Sequence, residues 1–334
     1  MAELPHVVID VSHYESGLDM AEHFFGHLAN TKRIFRRQDG SITYIDPCSG
    51  PHRILSIDEF CAVVGSLLNL RRIVGGRHRQ DISTTITRAE AVHLFQSSAR
   101  ALLPEIDFVL HEPAVITLGG EPTLIGEEGY HAQARAYYWR RPGSESIKVR
   151  EGTVALERCL SGVPFFSDAY KNNVYAWLVS AVTLDDIRTP MLAITGNDRG
   201  VGKSSLSQAC AIIITGQAQS AIQPAGSEFA KQLGAKFSEE QRFIAMDNVT
   251  TSGPHQSFKN AQLAALLTEG RSKAVRQLGQ SRMITQAGVL FALTANDCRL
   301  DQDLATRSLA VNLHRDSPGP MIPYCLQEAK RHRA

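Results

Sequence analysis

Apolar positions recur along this chain with two periods, and the way those periods alternate changes near the middle. In the first part, Ser56-Ile57-Asp58-Glu59 has the order of a capping box, and Ile57, Phe60, Cys61, Val64, Leu67 and Leu68 then share one helical face. Thr87-Arg88-Ala89-Glu90 opens a second helix, which carries Val92, Leu94, Phe95 and Leu102 and stops at Pro104. Short strand patterns surround these helices at 32–37, 41–45, 108–111, 114–118 and 136–139, with turn signals at Gly119-Gly120 and Arg141-Pro142-Gly143. The second part alternates more regularly. Helices are predicted over 153–161, 170–184, 203–215, 227–237 and 259–269, and strands over 191–195, 242–246, 289–294 and 308–313. Such alternation predicts an α/β domain with a mostly parallel sheet and helices on both faces, and a ligand at the carboxyl ends of the strands. The linker-like stretch 142–146 puts a boundary near residue 148, between a smaller mixed α+β domain (1–148) and the α/β domain (149–334).

Composition narrows the class rather than naming it. The chain has 334 residues, 43% hydrophobic and 21% charged, which is ordinary for a soluble globular protein. A net charge of +1 gives no global electrostatic case for nucleic acid, so any basic surface is local. Six cysteines without a CxxC pair speak against a zinc site or a disulfide framework and suit a reducing compartment. The N-terminus lacks a signal-peptide pattern and no run of 18 apolar residues occurs, so the expectation is a cytoplasmic protein with no membrane contact.

The chemistry concentrates in 191–206, MLAITGNDRGVGKSSL. A strand, a Gly-rich turn and a helix follow one another there. Backbone N–H groups of such a loop, with the positive end of the helix, hold a polyphosphate; the lysine reaches the β- and γ-phosphates and the Ser hydroxyl binds Mg²⁺. The expected contacts are Gly196, Asn197, Gly200, Val201, Gly202, Lys203, Ser204 and Ser205, and the ligand a nucleoside triphosphate, ATP. Asn197 stands where the strict pattern has its first Gly, with Gly196 one step upstream, and Asn tolerates a left-handed backbone. Asp247 ends the next strand, 44 residues after Lys203, and is the second expected Mg²⁺ ligand beside Ser204. Asn248 follows, where many ATPases carry a Glu. That leaves slow hydrolysis, a base from Glu239, Glu240 or Glu269, or water placement without a formal base. Asn296, at the tip of the third strand, is placed to contact the γ-phosphate or the attacking water. Arg307 is the candidate arginine finger offered to a neighbouring subunit, in competition with Arg271 and Arg299.

Segment 269–286 reads as a β-hairpin around Leu278-Gly279-Gln280, decorated by Lys273, Arg276 and Arg282, a cationic surface suited to a phosphate backbone. Tyr137–Arg141 reads as a strand end with snorkelling arginines rather than a base-stacking surface.

Taken together, FIAMDNV at 243–249, LAALLTEG at 263–270, RQLG at 276–279, TAN at 294–296 and DLATR at 303–307 resemble the helicase-like AAA+ ATPases of phages and plasmids, which are related to superfamily 3 helicases and often accompany primases. The motifs HEP at 111–113 and GEPTL at 120–124 are similar to the region preceding the ATPase in that family. The resemblance implies ring oligomers, hexamers in the family, that hydrolyse ATP between subunits and move along DNA, with a primase or other mobile-element protein as partner. Thr306 replaces an Arg frequent in the family, and family members often continue well past the finger, so a short or truncated form is expected. The rival readings are a nucleotide-gated assembly ATPase that hydrolyses slowly, and a remodeller acting on protein.

Overall fold

The computed structural model describes residues 6–9, 17–74, 80–140, 154–185, 188–224, 226–250, 257–270, 272–276, 283–296 and 298–316. By packing, the chain divides into Met1–Asp107 and Phe108–Ala334. The boundary expected near 148 lies outside the described residues. The packing division comes earlier because Phe108, Leu110, Ala136 and Tyr138 share a core with Leu184 and Ala287. Linker composition does not register which core a preceding strand joins.

The first unit contains β1 (His6–Ile9), α1 (Gly17–Asn30), β2 (Ile34–Arg36), β3 (Ile42–Asp46), β4 (Gly50–Ile54), α2 (Ile57–Leu67), β5 (Asn69–Val74), β6 (Gln80–Ser83) and α3 (Arg88–Gln96). β2, β3 and β4 form an antiparallel meander, and β5 pairs with β1 and β6. Both expected capping boxes form. Ser56 Oγ accepts from Glu59 N at 3.2 Å while Glu59 Oε2 accepts from Ser56 N at 3.1 Å, and Thr87 and Glu90 repeat the exchange. Each cap satisfies donors that the first helical turn leaves orphaned. The second helix ends at Gln96, and a 3₁₀ turn, Ser98–Leu102, follows; Leu102 is exposed rather than in the core. The sequence reading passed over α1, whose buried Ala21, Phe24, Phe25 and Leu28 recur at helical spacing.

The second unit begins with β7 (Phe108–Leu110), β8 (Ala114–Leu118), β9 (Glu121–Ile125), β10 (Gly129–His131) and β11 (Ala136–Tyr138). Then come α4 (Val154–Ser161), α5 (Asp168–Val182), β12 (Met191–Gly196), α6 (Lys203–Thr215), α7 (Gly226–Ser238), β13 (Phe243–Val249), β14 (Ser257–Phe258) and α8 (Ala261–Thr268). The described elements end with β15 (Ser272–Arg276), β16 (Met283–Ala287), β17 (Leu290–Ala295), β18 (Arg299–Leu300), α9 (Gln302–Ala305) and β19 (Ser308–Leu313).

Its central sheet has the order β13-β17-β12-β19, every pair parallel. Side chains alternate along each strand, so both faces need cover. Leu192 and Ile194 of β12 pack with α5 and α6, whereas Met191 and Ala193 pack with α7 and α8. The predicted mixed α/β architecture with a parallel sheet is therefore present. Arg242, just before β13, is buried and donates to Ala181 O at 3.0 Å and Gly288 O at 3.4 Å; burial alone pushes its guanidinium down to about 10. It ties the amino end of the sheet to α5.

Candidate functional site

The site grows from the turn between β12 and α6. Gly196 closes the strand under tight packing: a Cβ there would lie 2.6 Å from Val201 Cγ1 and 3.0 Å from Leu313 O. Gly200 (φ 80°) and Gly202 (φ 104°) take the left-handed backbone that turns the loop into the helix. Asn197 does not; the left-handed geometry expected of it falls on these two glycines instead. Its side chain clamps the residue after His314, donating from Nδ2 to Arg315 O at 3.0 Å and accepting from Arg315 N at 3.2 Å on Oδ1. Val201 is buried in the core beneath the loop, so its side chain faces away from any ligand.

An open cleft of about 670 Å³ lies over this turn, lined by Arg199, Gly200, Gly202, Lys203, Ser204 and Ser205 from the loop, and by Asp247, Asn248, Thr294 and Asn296 from the tips of β13 and β17. Lys203 is buried and its Nζ donates to Asp198 O at 2.7 Å, folding back over the loop. Ser204 Oγ donates to Asp247 Oδ1 at 2.8 Å. Thus two residues 43 positions apart meet because β13 and β12 flank β17 in one parallel sheet and bring their carboxyl ends to the same edge.

Asp247 is held by more than Ser204. Thr294 Oγ1 donates to the same Oδ1, and Asn248 N lies 3.0 Å from both Asp247 Oδ1 and Thr294 Oγ1. Asn248 reaches this position with φ 54°, at a register shift of β13 against β17. Asn is among the few non-glycine residues that sit there at low cost. Asn296 Nδ2 donates to Asn248 Oδ1 at 3.3 Å, and Asn296 Oδ1 is buried with no hydrogen-bond partner among the described residues. A buried acceptor in that state is suited to accept a hydrogen bond from a water in the cleft. Ser204 and Asp247 supply hard oxygen donors, the set that suits Mg²⁺ beside phosphates.

Thr294 was missed by the sequence reading. Its signal was a hydroxyl in an otherwise apolar strand, two residues before Asn296 and therefore on the same side. Arg199, which also lines the cleft, was missed as well.

Other candidates lie elsewhere. Glu239 and Glu240 precede β13, at the opposite end of that strand from Asp247, and Glu269 accepts from Ala274 N at 2.8 Å; none of the three lines the cleft. Arg307, just past the end of α9, pairs with Asp303 of that helix and is not in the cleft lining. Arg299 is exposed on β18, and Arg271 lies outside the described residues.

The two strands of the expected hairpin pair antiparallel, with Ser272 opposite Ala287 and Arg276 opposite Met283, and its expected turn at Leu278-Gly279-Gln280 lies outside the described residues. Its charges are displayed differently from expectation. Lys273 is buried and donates from Nζ to Leu266 O at 2.7 Å and Glu269 O at 3.4 Å, closing the end of α8. Burial pushes its ammonium down to about 8, against the pull of Glu269. It does not decorate the hairpin surface, because Lys273 and Val275 point inward on alternate positions while Arg276 points out. Arg276 is exposed, and Arg282 lies outside the described residues. Tyr138 and Trp139 are buried, in line with a strand end rather than a stacking surface. No helix among the described residues is long and apolar enough to cross a membrane.

No protein-family model matches the chain, and no curated protein matches it in sequence. Similarity appears at the level of structure. One apo structure of the NrS-1 C-terminal region superimposes with a TM-score of 0.51 at 10% identity, over 96% of this chain and 68% of that one. Another form of that region gives 0.48 at 12% identity, and this chain spans 64% of its length. The JCV helicase gives 0.34 at 17% identity, over 51% of this chain and 48% of that chain. The likeness to the NrS-1 region extends through nearly all of this chain and concerns the fold.

Proposed function

We propose that this chain is an ATP- and Mg²⁺-dependent AAA+ P-loop motor of the DNA helicase or translocase kind, with residues of the first unit as an accessory domain. The observation that carries the reading is the 2.8 Å approach of Ser204 Oγ to Asp247 Oδ1 at the mouth of a cleft that also holds Lys203 and Asn296. A Gly-rich turn entering a helix directs unpaired N–H groups and a positive helix end at the same place, which favours a polyphosphate. Mg²⁺ held between Ser204, Asp247 and the phosphates would neutralise charge on the transferring phosphoryl group.

The chain's own residues supply the rest. Lys203 exchanges the Asp198 carbonyl for phosphate oxygens. Thr294 and the Asn248 N–H hold the Asp247 carboxylate in one orientation. Asn296 Oδ1 orients the attacking water, with Asn248 fixing the amide from the other side. No carboxylate among Glu239, Glu240 and Glu269 is placed to act as base, so hydrolysis proceeds by positioning and charge, as a Gln does in some GTPases. Arg307 exchanges Asp303 for the γ-phosphate of an adjacent subunit in a ring, a hexamer by resemblance. The hairpin, with Arg276 and Arg282, faces the DNA. The mobile-element setting and a primase partner are carried by resemblance alone.

Asn248 in place of a carboxylate favours a second reading, a slow ATPase whose nucleotide state gates assembly. ATP turnover with and without single-stranded DNA separates the two. The motor predicts strong stimulation that Lys203→Ala abolishes; ATP-dependent oligomers without stimulation by DNA would replace it with the assembly reading.

A further inference from the structure

The cleft accounts for phosphates and metal and leaves one exposed aromatic group at the same end of the sheet unassigned. Phe166 is 61% exposed. Its N–H donates to Asn312 O at 2.9 Å, and Asn312 pairs with Thr195, the residue before Gly196. From there α5 runs toward the other end of the sheet: Asn173 Nδ2 donates to Ala310 O and Trp177 Nε1 to Pro190 O, each at 2.8 Å. Phe166 therefore stands at the carboxyl ends of the strands, level with the start of the loop.

It does not stand alone. The His314 ring meets it edge-on with centroids 5.5 Å apart, and the Tyr170 ring lies at 6.4 Å. His314 is oriented by Asp316 at 3.1 Å. The next residue is clamped to the loop by the two Asn197–Arg315 bonds, so the aromatic group moves with the phosphate loop.

Strand order gives the direction. Asp247 and Asn296 tip β13 and β17, on one side of β12; Phe166 and His314 border β19, on the other side. A nucleotide with its γ-phosphate toward Asn296 and its β-phosphate on the loop extends its sugar and base toward β19. We infer that the nucleobase stacks on the exposed face of Phe166, backed by His314 and Tyr170. The inference rests on the reading of the loop as a triphosphate site and adds the base subsite. An aromatic face selects a large flat base, so purine nucleotides bind more tightly than pyrimidine ones, with weak discrimination between adenine and guanine.

Equilibrium binding of Mg²⁺-ATP and of Mg²⁺-tripolyphosphate, which lacks the base, tests this on the full chain. Phe166→Ala raises the ATP Kd about tenfold and leaves tripolyphosphate unchanged. Phe166→Trp retains ATP, and its added indole emission is quenched by ATP but not by tripolyphosphate. Wild-type ATP affinity in Phe166→Ala, with tripolyphosphate still bound, overturns the stacking site. Equal loss of both ligands in Phe166→Ala also overturns it, because the ring then serves the loop rather than the base. Wild-type protein that binds neither ligand removes the triphosphate reading, and the base subsite falls with it.

Discussion

Lys203 and Lys273 look alike in isolation. Both are buried, and both place Nζ 2.7 Å from a backbone carbonyl, of Asp198 and of Leu266 respectively. Their settings differ. Lys203 opens on a large cleft at the turn into α6, where the proposed function puts a polyphosphate. Lys273 closes the last turn of α8 under a hairpin, where a cation meets the negative end of the helix. The first lysine is held on a bond that a phosphate can replace; the second is held on bonds that keep the hairpin against its helix. A buried cation is thus a ligand contact or a strut according to whether its surroundings offer room for a counter-ion.

The sharpest way to break this comparison is to remove each charge in turn. Lys203→Met is expected to lower ATP turnover at least about a hundredfold, the scale for losing one preorganised charge contact, with no loss of thermal stability. Lys273→Met is expected to leave ATP binding intact. Reversed outcomes, followed by ATP titration and thermal melts, would exchange the two roles.

Titration sharpens the second half. The folded-state pKa of Lys273 lies near 8, below its ordinary 10.5, so between these values the unfolded chain holds more protons than the native one. Stability conferred by this residue therefore rises with pH across that window and is flat below it. Denaturant melts of wild type and Lys273→Met should diverge in favour of wild type as pH climbs from 8 to 10.5, by on the order of 3 kcal/mol. Parallel curves would mean that Lys273 titrates normally and is not enclosed.

Within the cleft, Thr294→Val keeps the volume and removes the hydroxyl that holds Asp247. The expected loss is about tenfold in kcat with KM unchanged, the worth of one hydrogen bond to a charged group. A rise in KM alone would place Thr294 in ground-state binding instead. The smallest effect is expected at the hairpin. Arg276→Ala combined with Arg282→Ala should reduce the salt slope of DNA binding by about one per cation and spare ATP binding. Unchanged DNA affinity would remove the hairpin from the mechanism.

What the residues reveal unaided follows their range of interaction. Capping boxes at Ser56 and Thr87, the helices of the second unit and the four strands of its sheet act over a few neighbours, and their periodicity carried them into the structure nearly residue for residue. The loop was legible for the same reason: its glycines, Lys203 and Ser204 are contiguous. Asp247 and Asn296 were legible as polar residues ending apolar strands.

Tertiary structure decided everything that depends on which strand lies beside which. Sheet order brings Ser204 to Asp247 and turns Thr294 into a partner of that carboxylate. Long-range packing also converts Asn197 from a turn residue into a clamp on Arg315, and Lys273 from surface charge into the end of α8. Spacing along a chain reports local geometry, because helix and strand periods are set by neighbouring backbone. Whether a charged or polar side chain meets solvent, ligand or a distant carbonyl is set by burial, and burial exists only once the elements have packed.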